Sequence, residues 1–305
     1  MIKPIKLIKI DTHINFLSRT KSLVTLSIFL IILSVILLLS RGLNYGIDFK
    51  GGTLIEVQKI IGNADVADVR LKLNTLDLGN IQLQEFGKES DLLIRVEQPN
   101  NKEGEQQKII TAISDAISND YNIRRVEVVG PKVSSELIKK GIIAVFSAIF
   151  CVLAYIWFRF EWQFSIGAIA ALVHDIIITI GVFSLLQLEF NLSIIAALLT
   201  IVGYSLNDTV VIYDRIREEL RKYKKMPLFE LVNQALNLTL SRTLMTSITT
   251  LLALISLYLF GGEVIKGFTF AMIWGVLIGT YSSIFIASSV LIKLNVKRDW
   301  SKKEQ

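Results

Sequence analysis

The 305-residue chain contains one cysteine, two histidines and four prolines. A lone cysteine excludes an internal disulfide framework and a cysteine-rich zinc site. Two histidines leave little for a histidine-based metal centre. No basic patch interleaved with aromatics is present, so the net charge of +6 does not point to nucleic acid. With 52% apolar residues, low-complexity disorder is excluded as well. The apolar residues are not spread evenly, which argues against one large soluble domain. They come in blocks of about twenty, the length that crosses roughly 30 Å of hydrocarbon.

The blocks run Ser22–Ser40, Gly141–Phe158, Phe164–Leu186, Asn191–Tyr213, Thr243–Phe260 and Gly267–Ile292. The expected fold is therefore a polytopic α-helical membrane protein with six transmembrane helices. The first block follows a basic segment, as a signal peptide would. Its apolar run, Leu23–Leu39, is too long for that, and Arg41-Gly42-Leu43-Asn44 offers no small-residue cleavage site, so a retained span is expected. Four regions follow: 1–40, a terminal segment with the first helix; 41–140, a domain outside the membrane; 141–292, five helices with a basic loop at 214–242; and 293–305, a basic tail. Eighteen Lys and Arg flank the spans on the side of the two termini, against Lys266 alone in the short loops opposite. The positive-inside rule then places both termini in the cytoplasm and the 41–140 domain in the periplasm of an inner membrane.

The soluble stretch has strand periodicity at Thr53–Val57, Ile81–Phe86, Asp91–Glu97 and Ile123–Val129. Helical spacing occurs at Ala64–Leu73 and Glu103–Ser118, and the turn between the middle strands is Gly87-Lys88-Glu89-Ser90. The order β-α-β-β-α-β is the ferredoxin-like arrangement. No catalytic constellation sits in it, so a mechanical or binding module is expected rather than an enzyme.

Ionisable residues inside spans are expensive and point to function. Asp208 stands in Gly203-Tyr204-Ser205-Leu206-Asn207-Asp208-Thr209, with apolar residues on both sides. It is a candidate for proton uptake and release; the alternative is a structural aspartate tied to a neighbouring helix. Arg242 opens the fifth span and belongs to the same half of the membrane, so the two side chains are expected to meet. Thr246, Thr249 and Thr250 extend a polar stripe along its helix. The other reading of Arg242 is a snorkelling anchor. His174-Asp175 lies near the middle of the third span, on a proton path or in an interhelical hydrogen bond. Small-residue faces at Gly275, Gly279 and Ser283, and at Gly167, Ala171 and His174, predict close helix contacts. Pro227–Leu240 reads as a short interfacial helix, and Arg215–Lys225 as a basic segment against anionic headgroups.

Gly46-Ile47-Asp48-Phe49-Lys50-Gly51-Gly52 opens the external domain and Val129-Gly130-Pro131-Lys132-Val133 closes it. With Phe158-Arg159-Phe160-Glu161-Trp162, His174-Asp175, the Asp208 motif and Ser241-Arg242-Thr243, this ordered set closely resembles the SecF members of the bacterial SecD/SecF family in the RND superfamily, over about Leu43 to Ile292. Leu206 stands where that family often has a β-branched residue.

The resemblance implies half of an RND-type transporter, paired with SecD. The pair assists the Sec translocon SecYEG, with YajC, in moving and releasing unfolded exported polypeptides, using protons as coupling ion and no other cofactor. It also implies that Asp208 and Arg242 couple to protons. His174, Asp175, Asn207, Thr246 and Thr250 are candidates for the path, and Gly46, Asp48, Gly51 and Gly52 carry the motif that opens the domain. Other expected contacts are membrane lipids; no metal and no nucleic acid are expected. Three alternatives stay open: another RND-type exporter of lipids or small molecules, an intramembrane aspartyl protease using Asp175 and Asp208, and a passive assembly scaffold, for which Asp208 would be unnecessary.

Overall fold

The computed structural model describes residues 13–76, 78–79, 81–97 and 105–296, and among these six helices are long and apolar enough to cross a membrane. The start of the helix expected at Glu103, most of the basic segment before the first span and the tail from 297 lie outside the described residues. The first span, α1, is Thr20–Arg41, and Gly42 ends it with a positive φ of 68°. A short strand β1 (Asn44–Tyr45) and one turn of helix α2 (Ile47–Lys50) lead into the external domain.

That domain runs β2 (Gly52–Lys59), α3 (Val66–Asn74), β3 (Ile81–Phe86), β4 (Lys88–Val96), α4 (Glu105–Ile117) and β5 (Tyr121–Val129). Its four antiparallel strands lie in the order β3-β4-β2-β5, the ferredoxin-like topology that strand periodicity predicts. The β3–β4 turn is tighter than expected. β4 begins at Lys88, and Gly87 alone turns the chain at φ 78°. Alternation sets two faces. Ile55, Val57, Leu92, Ile94 and Val96 bury against Val69, Leu73, Ile113 and Ile117 of the two helices. On the other face Leu54 and Leu93 pack on Ile47 of α2, so the sheet is covered on the side that meets the membrane bundle.

The bundle continues with α5 (Pro131–Arg159), α6 (Trp162–Leu186), a short strand β6 (Glu189–Phe190), α7 (Leu192–Lys222) and α8 (Leu228–Phe260). The last span runs through α9 (Lys266–Ser282), a π-helical turn at Ser283–Ala287 and α10 (Ser288–Lys293). Gly130 caps α5 and Pro131 supplies its first turn, so the second span starts directly from the end of β5.

Two expectations need correction. The stretch 214–242 is mostly helix, because α7 runs on to Lys222 and α8 starts at Leu228. The interfacial helix at Pro227–Leu240 is therefore the first half of a continuous helix, with Pro227 as its cap. Leu231, Val232, Ala235 and Leu236 are buried against Ile212, Ile216, Leu220 and other residues of the bundle core, rather than lying on lipid. The apolar face that suggests an interfacial helix serves equally well for packing on a neighbouring helix.

Candidate proton-coupling site

Asp208 sits in the middle of α7 and is 3% exposed. Its Oδ1 is 3.5 Å from Thr246 Oγ1, at the outer limit of a hydrogen bond. The Thr246 hydroxyl has one proton and better acceptors in the carbonyls of Thr243 at 2.9 Å and Arg242 at 3.2 Å. Oδ2 of Asp208 is buried with no partner. The expected meeting with Arg242 does not occur as an ion pair. Arg242 is exposed on the outside of the bundle, near enough to attract Asp208 but beyond contact distance. Its position one turn before Thr246 leaves the longer guanidinium free to stay in a more polar environment. Asp208 is thus a buried carboxyl without full hydrogen bonding, a costly arrangement for a charge.

Asn207 and Gly203 are exposed on the same helix, as is Thr249 on α8, while Thr250 is half-buried. Thr249 returns its hydroxyl to backbone carbonyls of its own helix. These residues line the outside of the bundle at membrane depth, where lipid alone satisfies no polar group.

His174 and Asp175 are placed differently. Both are buried, and their side chains touch at 2.9 Å through His174 Nδ1 and Asp175 Oδ1. An ionised carboxylate only accepts, so the imidazole Nδ1–H is then the donor. Oδ2 of Asp175 accepts from Ser205 of α7 at 2.6 Å and from Ser282 of the last span at 2.8 Å. The His174 ring stacks on Tyr281 with centroids 5.9 Å apart, and Tyr281 donates to the carbonyl of Leu23 in α1. One aspartate therefore ties α6, α7 and α9 together, and Tyr281, against which the histidine stacks, reaches a fourth helix, α1. The π turn begins at Ser283, whose hydroxyl lies 2.8 Å from that of Thr209 and donates to the Ser205 carbonyl. Such turns widen a helix locally and recur at functional sites.

From sequence, Ser205 and Thr209 enter only as members of the Asp208 motif and Ser283 only as a packing residue, and nothing marks Ser282 or Tyr281. The small-residue faces do meet neighbours closely. A Cβ on Gly275 would overlap Ile201, and one on Gly279 would press on Ser205. On α1 the buried residues are Ser27 and Ser34, and Ser34 fills the space beside Gly181.

The Gly46–Gly52 motif joins the external domain to the start of α7. β1 and β6 pair in parallel, Asn44 with Glu189 and Tyr45 with Phe190. Gly46 N–H donates to the Phe190 carbonyl at 3.0 Å, and a Cβ there would collide with Glu189. Asp48 Oδ2 accepts from the backbone N–H of Leu192, capping α7 from another element. Phe49 packs on Phe190 at 5.9 Å. Gly52 has φ 132° and lies against the Val96 carbonyl, where no side chain fits. Arg95 of β4, nearly buried, pairs with Glu189 at 2.6 Å. Neither Arg95 nor Glu189 has a sequence pattern that marks it.

Residues 109–297 match the family model described as protein export membrane protein SecD/SecF, C-terminal, and residues 36–58 match the SecD/SecF GG motif. The chain belongs to the SecD/SecF family. Among curated members it is 49% identical to protein translocase subunit SecF of Magnetococcus marinus, covering 93% of each chain. It is 45% identical to protein translocase subunit SecF of Cereibacter sphaeroides, covering 98% of this chain and 95% of that one. A crystal structure of SecDF, a translocon-associated membrane protein from Thermus thermophilus, superposes with a TM-score of 0.85 at 33% identity. That match covers 95% of this chain and 40% of the SecDF chain, so this SecD/SecF protein spans two fifths of that structure. The architecture of six spans with a small sheet domain after the first is that of the family.

Proposed function

We propose that this chain is the subunit that works with SecD to harness the proton-motive force for the translocation and release of secreted polypeptides at SecYEG, with YajC as a further partner. Both termini lie in the cytoplasm and the ferredoxin-like domain in the periplasm. The observation that carries this reading is Asp208, a buried carboxyl lacking full hydrogen bonding, on a helix whose first residue is clamped to the external domain. Protonation changes the charge on α7 beside Arg242 and Thr246. A shift of α7 is passed to the sheet through Asp48, Gly46 and the Arg95–Glu189 pair. The transmembrane potential contributes about 2.3 kcal/mol per charge per 100 mV to such a step. Arg242 supplies charge near the site, and the exposed face with Gly203, Asn207 and Thr249 suits a second subunit, consistent with the SecDF relative containing more than this chain. His174 and Asp175 serve the bundle as a tie between helices.

Export into membrane vesicles with and without an imposed proton gradient tests the proposal. Asp208→Asn is expected to abolish the gradient-dependent stimulation while the complex with SecD still forms; a wild-type response would refute the carrier role. Orientation is read separately: a cysteine at Ile61 should label with an impermeant maleimide in intact spheroplasts, and one at Lys224 should not.

A further inference from the structure

A cleft of about 580 Å³ opens where α7 emerges beside the α5–α6 turn, lined by Arg159, Asp214, Arg217, Glu218, Arg221 and Lys222. Four cations face two carboxylates. Both acids are already engaged: Asp214 accepts from Arg159 at 3.0 Å, and Glu218 accepts from Arg215 at 2.6 Å. Arg217 is held by the Arg159 carbonyl at 3.4 Å, by the Glu161 carboxylate of the α5–α6 turn at 3.9 Å and by the Phe160 ring, whose centroid lies 5.9 Å from its guanidinium, so four lining cations face three carboxylates in all. The lining therefore has a surplus of positive charge on partly fixed guanidinium groups, the donors best suited to phosphate oxygens.

The depth of the cleft identifies the ligand. α5 ends at Arg159 and α6 starts at Trp162, so the turn between them marks the membrane boundary. Trp157, Phe158 and Trp162 stand exposed around it, Phe158 at 96%. Exposed tryptophans gather at headgroup level. A phosphate in the cleft would thus have an apolar aromatic surface directly on the membrane side, as an acyl chain requires. We propose that this cleft binds the phosphate headgroup of an anionic phospholipid, with its acyl chains along Trp157 and Phe158.

Native mass spectrometry of the full chain, released from detergent with palmitoyl-oleoyl phosphatidylglycerol or phosphatidylcholine, tests this. The wild type is expected to retain phosphatidylglycerol preferentially. Each cation near an anionic headgroup changes binding by roughly fivefold, so Arg217→Gln with Arg221→Gln should weaken retention by about 25-fold. The double substitution Lys224→Gln with Lys225→Gln removes the same charge just beyond the cleft and should leave retention largely intact. Arg217→Lys with Arg221→Lys keeps the charge but loses the planar fork, so it should retain the preference at a reduced level, well above the glutamine variant, which separates lost binding from lost folding. Equal retention of phosphatidylcholine, an equal loss in the Lys224/Lys225 variant, or a lysine variant that retains no more than the glutamine variant would overturn the proposal. So would displacement by millimolar inorganic phosphate, which would mark a free-anion site, or by poly-glutamate, which would mark a protein partner.

Discussion

Asp48 accepts a hydrogen bond from the backbone N–H of Leu192 at 2.8 Å, so a residue of the motif that opens the external domain caps the helix that carries Asp208. Sixteen residues of helix separate Leu192 from Asp208, about 24 Å at 1.5 Å per residue. A continuous helix over that length is a stiff rod, and its upper end is fixed to the sheet. Asp48→Ala removes the acceptor and should cost about 1 kcal/mol of stability. Asp48→Asn keeps an acceptor oxygen and loses only the charge at the helix start, about 0.5 kcal/mol. Thermal unfolding of the purified chain should rank them in that order.

The Arg95–Glu189 pair should respond asymmetrically. The Arg95 side chain is 6% exposed and that of Glu189 is 27% exposed. Glu189→Gln leaves a buried guanidinium without its carboxylate, a loss of about 3 kcal/mol. Arg95→Met leaves a partly solvated carboxylate and should cost about 1–2 kcal/mol. In a double-mutant cycle the two should be strongly non-additive; additive losses would show that the pair does not hold the domain to the bundle.

Gly52 and Gly62 both have positive φ, 132° and 85°, but only Gly52 faces a backbone carbonyl where a Cβ would go. Gly62→Ala meets open space and should cost about 1 kcal/mol of backbone strain. Gly52→Ala must also push β2 from β4 against the Val96 carbonyl, so it should cost well over 3 kcal/mol. The melting temperatures of the two variants check this.

Lys72 binds Asp120 at 2.6 Å and Asp68 at 2.8 Å on the surface of the external domain. The Lys72 hydrogen bond and charge hold the Asp120 carboxyl below its usual range, and Asp120 and Asp68 hold the Lys72 ammonium above its own. A lowered carboxyl contributes stability that is present above its unfolded pKa and lost as pH falls through the folded one. A raised ammonium contributes stability present below its unfolded pKa and lost as pH rises through the folded one. Melting of the wild type should therefore weaken below about pH 4. In Asp120→Asn that acid-side slope should flatten, and equal slopes would show that the pair contributes nothing.

The fold was legible where one physical requirement dominates. Twenty apolar residues in a row admit few structures other than a span, and the alternation in 53–57 and 81–86 gives strands with a buried face. Helix ends were less legible. Beyond Tyr213 the chain turns charged, which ends an apolar run but not a helix, and Arg215, Glu218 and Lys222 are good helix formers. The site divides in the same way. Asp208 and Asp175 stand out because charge in a span is costly. Ser205 and Ser282 look like ordinary small residues, and their role depends on how α6, α7 and α9 cross. Spacing places Asp208 and Arg242 in the same half of the membrane, but it does not fix the axial register of α8, which sets Thr246, one turn further along the same face, rather than Arg242 opposite the carboxyl.

The two buried aspartates should therefore respond in opposite ways. Asp175 accepts from Ser205 and Ser282 and contacts His174, so Asp175→Ala leaves several buried groups unpaired and should cost more than about 3 kcal/mol. Asp175→Asn keeps the shape, and the serine hydroxyls can rotate to accept from its amide, so about 1–2 kcal/mol is expected. Asp208 has an orphan oxygen and one marginal hydrogen bond, so Asp208→Asn removes a poorly solvated acid and should leave stability unchanged or slightly raised. Export should separate from stability at one position only. For Asp175 variants, gradient-driven export should fall in step with the fraction of folded subunit. For Asp208→Asn, export should fail in a subunit as stable as the wild type. If Asp175→Asn instead lost export while fully folded, Asp175 would belong to the proton path and not only to the tie between helices. If Asp208→Asn unfolded the subunit, its carboxylate would be a structural acceptor and the contrast between the two sites would collapse.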